Sequence, residues 1–103
     1  MSRSVAPRHI SAAGRRLFAD VVRGYALEPH HVALLVKACE AYDRAEQARV
    51  LIDAEGLVVR SRLGEPRQHP AIPVERDSRA AFMSALKQLG LDIEPPNPSQ
   101  KRR

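Results

Sequence analysis

Tryptophan is absent and only two phenylalanines and two tyrosines occur in 103 residues, so any core rests on Leu, Val, Ile and Ala. The single cysteine, Cys39, excludes an intrachain disulfide; its place among apolar residues suits a buried structural thiol and agrees with a reducing compartment. No stretch approaches the ~20 apolar residues of a membrane span. Arg3 and Arg8 are followed by no apolar run, so no signal peptide is expected. Catalytic chemistry is equally thin. His9, His30, His31 and His69 fall in no Cys-x-x-Cys, His-x-x-x-His or His-Glu-x-x-His spacing, which argues against zinc. Neither G-x-x-x-x-G-K-S/T nor G-x-G-x-x-G is present, so nucleotide binding has no motif. No serine stands beside an identifiable base. The expectation is a chain that is not an enzyme, with no catalytic residues, no metal and no cofactor.

What is present is a single small domain, 1–103, with a formal charge of +5 and a pI near 10.1. The charge makes a polyanionic partner plausible. A chain of this size buries only about two-thirds of its unfolded surface, and oligomerisation is a natural remedy.

The longest uninterrupted pattern runs from Pro29 to Glu55. It contains no interior glycine, and its proline falls at the first helical position, where it is tolerated. Such a helix is about 40 Å long at 1.5 Å per residue. Leu34, Ala38, Ala41, Ala45, Ala48 and Ile52 recur at alternating spacings of four and three, the register of a packed seam. Val32, Leu35, Val36, Cys39, Tyr42 and Leu51 widen the apolar face, and Glu40 and Arg44 are placed for an i,i+4 pair. One apolar stripe suffices for a surface helix. The excess suggests contacts on two sides, with its own chain and a neighbouring copy; a purely intramolecular core helix is the alternative.

Residues 1–10 show no periodicity and read as a mobile basic arm. The folded core spans 11–93. Ser11 can cap a first helix reaching Gly24, with Leu17, Phe18, Val21, Val22 and Tyr25 as its apolar face. Residues 25–28 turn the chain into the long helix, giving an αα-hairpin. After Gly56 the period changes, and 57–69 read as a β-hairpin turning at Leu63-Gly64-Glu65-Pro66, with Arg60, Arg62 and Arg67 clustered on it. A third helix is expected from Pro73 to Leu89, its apolar face made by Val74, Ala81, Ala85 and Leu89. Residues 94–103 form a Pro-rich basic tail. The fold class is therefore mainly α: two helices as an αα-hairpin, a β-hairpin and a third helix.

Arg16, Asp20 and Arg23 share one face of the first helix, with Arg15 beside them. This is either a phosphate-contacting surface or a solvated face with an Arg16–Asp20 pair. Charge and placement single out Arg15, Arg16 and Arg23, with Lys101, Arg102 and Arg103 of the tail, as the DNA-binding candidates. The tail triplet can equally be a solubilising end.

Several landmarks also fall in a particular order: Leu34-Leu35, Tyr42-Asp43-Arg44, Glu55-Gly56, Gly64, His69-Pro70 and Leu89-Gly90-Leu91. Over about Leu17 to Leu91 the chain resembles the small terminase subunits of tailed phages. The resemblance implies a non-catalytic, ring-forming homo-oligomer. Its ring binds double-stranded viral DNA and delivers it to a separate large terminase subunit, which carries the ATPase and nuclease. It implies the cytoplasm of a bacterial host and a phage or prophage origin. Two departures stand out: no helix-turn-helix signature precedes the long helix, and the extension beyond Leu-Gly-Leu is short. Alternatives are a small helical oligomeric adaptor, or a DNA-binding regulator of prophage origin.

Overall fold

The computed structural model describes residues 4–91. Lys101, Arg102 and Arg103, with the rest of the tail, lie outside them. In chain order the elements are α1 (Ala12–Gly24), α2 (Pro29–Glu55), β1 (Val58–Arg60), β2 (Pro66–Gln68) and α3 (Ala71–Gln88). This is the order expected from the sequence: mainly helical, with one small antiparallel hairpin.

Helix α2 is the spine and is unbroken from Pro29 to Glu55. At its start the backbone N–H of Glu28 donates to His31 Nδ1 at 3.1 Å, which satisfies a group that no helical carbonyl can reach. At its end Gly56 takes φ +88°, a conformation that costs glycine little and other residues much. Helix α1 folds back antiparallel to the first half of α2, and Phe18 and Val21 join Leu35 and Cys39 in the core.

Helix α3 returns along α2. His69 meets Glu55, Val74 lies across from Leu51, the Tyr42 and Phe82 rings sit 5.4 Å apart, and Leu89 packs on the core containing Leu35. The two helices are thus antiparallel. Both bury small residues: Ala38, Ala45 and Ala48 on α2, and Ala71, Ser78 and Ala85 on α3. Side chains that small let two helix backbones approach closely. The α3 face differs from the expected one. Ala81 is exposed and the buried line runs through Ala71, Ser78 and Ala85, because the helix begins ahead of Pro73 and because a serine is small enough to occupy a seam position. Pro73 sits in the first turn, where its missing N–H has no intrahelical acceptor to forgo.

His69 explains where α3 starts. It is buried, its Nδ1 accepts from the Ala71 backbone N–H at 2.9 Å, and its Nε2 lies 2.7 Å from Glu55 Oε1. A backbone N–H can only donate, so the imidazole proton resides on Nε2 and is given to Glu55. One side chain therefore joins the end of α2 to the start of α3 across the hairpin.

The segment before α1 is docked. Ala6 and Ile10 are buried in the core, and His9 Nε2 lies 2.7 Å from Glu40 Oε2. From sequence, residues 1–10 read as a mobile arm because Val5, Ala6 and Ile10, without periodicity, carry no helical or strand signal. Glu40 pairs with His9 and Lys37, not with Arg44. The hydrogen bond from His9 is the main reason its carboxyl is held below the usual range. Its contribution to stability is accordingly present above the ordinary glutamate value and fades as pH falls through the lowered one.

Cys39 is fully buried, and desolvation, helped by the charges of Asp43 and Glu40, pushes its thiol up to about 11. The thiolate is the reactive form. A thiol reagent at pH 8 is therefore expected to leave the native protein unlabelled and to react promptly once denaturant unfolds it. Rapid native labelling would contradict this packing.

Candidate nucleic-acid interface

The position of α1 is set by a carboxylate 32 residues away. Asp43, only 8% exposed, accepts from the Ser11 backbone N–H at 2.7 Å and from Ser11 Oγ at 2.5 Å, while Ser11 Oγ accepts from the Gly14 N–H at 3.0 Å. Ser11 is the N-cap the sequence suggested, and Asp43 adds a negative charge where the helix dipole is positive. Gly14 permits this. A Cβ there would stand 2.6 Å from Ile10 Cγ2 and 2.8 Å from Asp43 Oδ1. The Tyr42-Asp43-Arg44 landmark thus holds the buried anchor of α1.

With α1 fixed, its arginines point in different directions. Arg15 and Arg23 line one cleft of about 300 Å³, with Val5, Ala6, Phe18 and Ala19 between them. Spacings of four along the helix (Arg15, Ala19, Arg23) put the two on one stripe, and the docked segment 4–6 forms the opposite wall. Arg16, one residue on, is exposed outside this cleft. Arg15 is half-buried and donates to the Ala6 carbonyl at 3.4 Å, which uses a donor without cancelling its charge. Arg23 is paired with Asp20, so the alternative Arg16–Asp20 pair is not made. Arg15 and Arg16 have no acidic partner among the described residues.

At the far end of the molecule lies a second surface. Val50, Leu51, Leu57, Val58 and Val74 are exposed there. A groove of about 400 Å³ runs between α2 and α3, lined by Ala48, Leu51, Ala71 and Val74, with Arg44 on its wall. The sequence marked Leu51 only as part of a broad apolar face. Its exposure, with Ala71 and Val74 of α3 across the groove, is not readable from periodicity in α2 alone.

Among the described residues no three of His, Cys, Asp and Glu are grouped to hold a metal ion, and no helix is long and apolar enough to cross a membrane. The described part is a small helical scaffold that presents basic residues on α1 and apolar residues at the far end of α2. Residues 15–97 match the family model of the phage terminase small subunit, and the chain belongs to that family. No curated protein and no solved structure matches it. Membership points to a role in phage DNA packaging, within a family that is generally non-catalytic.

Proposed function

We propose that the chain is the DNA-recognition subunit of a packaging machine, which binds phage double-stranded DNA and presents it to the large terminase subunit in the host cytoplasm. The observation that carries the DNA half is the anchoring of α1 by Asp43, which holds Arg15 and Arg16 at the surface with no acidic partner among the described residues. Arg23 contributes less, because Asp20 offsets its charge. Lys101, Arg102 and Arg103 add a second set of phosphate-binding cations. The exposed apolar end formed by Leu51, Leu57, Val58 and Val74 supports assembly of several copies into a ring.

Phosphate contacts release condensed counterions, so affinity falls with salt at a log–log slope of about −0.9 per contact. The triple variant Arg15→Ala, Arg16→Ala, Arg23→Ala is expected to flatten that slope by about 2 to 3. Fluorescence anisotropy with a labelled duplex across a salt series reads this directly. A variant slope equal to the wild-type slope removes α1 from the interface.

The adaptor reading draws on the same apolar end. Under it the protein assembles but binds no DNA in a salt-dependent way, and Arg15→Ala with Arg16→Ala changes nothing.

A further inference from the structure

The β-hairpin is built to present its tip. Ser61 N–H donates to the Glu65 carbonyl at 2.8 Å, Gly64 N–H to the Ser61 carbonyl at 2.9 Å, and Ser61 Oγ accepts from the backbone N–H groups of Leu63 and Glu65. Arg60 closes the turn by donating to the Gly64 carbonyl at 2.8 Å. At the apex Leu63 is 87% exposed. A single exposed leucine is commonplace. A leucine held out by a turn with this many hydrogen bonds, beside an arginine, is a different matter. Arg62 has no acidic partner among the described residues, while Arg67 is paired with Glu65; Ser61, Arg62, Leu63 and Arg67 line one shallow surface cleft.

We propose that this hairpin tip is a second DNA contact, separate from α1, that enters the major groove with Arg62 on a phosphate and Leu63 against thymine methyl groups. The inference rests on the DNA-binding reading and deepens it by naming the surface. Charge complementarity favours DNA: three arginines and one glutamate stand between Val58 and Gln68. Size agrees, since strands about 4.8 Å apart make a ribbon that enters a major groove about 12 Å wide. The thymine C5-methyl is the apolar feature displayed in that groove, and it is what a protruding leucine can meet.

The full chain is titrated against an A·T-containing duplex and against the same duplex with uracil in place of thymine, over a salt series, as wild type, Leu63→Ala and Arg62→Ala. Light scattering gives the mass of each. Wild type is expected to bind the uracil duplex about 3- to 10-fold more weakly. Leu63→Ala should bind the thymine duplex more weakly by a similar factor and be indifferent to the exchange. Arg62→Ala should flatten the salt slope by about 1 while keeping its response to the methyl groups. Wild type that binds DNA alongside hairpin variants that bind equally well overturns this inference and leaves the α1 reading standing. Wild type that binds no DNA overturns both. A fall in assembled mass in Leu63→Ala, with DNA affinity per assembled particle unchanged, makes the tip a contact between copies and overturns it too.

Discussion

Phe18→Ala is expected to destabilise the protein by about 3–5 kcal/mol, the range for removing a buried aromatic side chain. Phe18 is 2% exposed and sits where segment 4–10, α1 and the first half of α2 converge on Ala6, Ile10, Val21, Leu35 and Cys39. Ala6 is small, and Leu35 and Cys39 are fixed on the long helix, so little can move to fill the space. A domain of this size has about 5–15 kcal/mol in total, and the loss is a large share of it. Denaturant unfolding at one fixed protein concentration measures it, since assembly would make stability concentration-dependent. A change below about 1 kcal/mol would mean that this core is not the one that holds α1.

Asp43→Ala is expected to cost about 2–4 kcal/mol, because it removes a charged acceptor from two donors at the start of α1. The affected donors are the backbone N–H and the hydroxyl of Ser11. Gly14→Ala tests the same joint from the other side. In a free helix alanine is favoured over glycine by about 0.5–1 kcal/mol. Here the added Cβ meets Ile10 Cγ2 and Asp43 Oδ1 well inside contact distance. The sign therefore reverses, to a loss of about 1–3 kcal/mol. The double variant should fall short of the sum, because removing the carboxylate relieves one of the two clashes. Strict additivity would contradict a shared joint.

Much of the frame was legible because it is local. Gly56 and the proline at the first helical position bracketed α2, Ser11 marked the start of α1, and the switch to β-branched residues with Gly64 marked the hairpin. What escaped is carried by long separations in sequence. Asp43 reaches back 32 residues to Ser11, and Glu40 reaches 31 to His9; helical periodicity records neither partner, and i,i+4 spacing points Glu40 to the nearer Arg44 instead. Ser78 gives no seam signal in the sequence, because a polar residue interrupts an apolar pattern, although its size suits a close helix crossing. The candidate arginines of α1 were visible as charge. That Arg15 and Arg23 share a cleft depends on the docking of the segment holding Val5, Ala6 and Ile10, and apolar residues without periodicity in a basic stretch give no signal of that. The three hairpin arginines were visible as a cluster, but the exposure of Leu63 beside them is a property of the folded turn alone.

Light scattering of the purified full chain, alone and with a duplex at low and high salt, bears most directly on the proposed role. A particle several times the 11.4 kDa of one chain is expected, which gains the mass of the duplex at low salt and loses it as salt rises. A particle of 11.4 kDa that stays the same when DNA is added at low salt would contradict it.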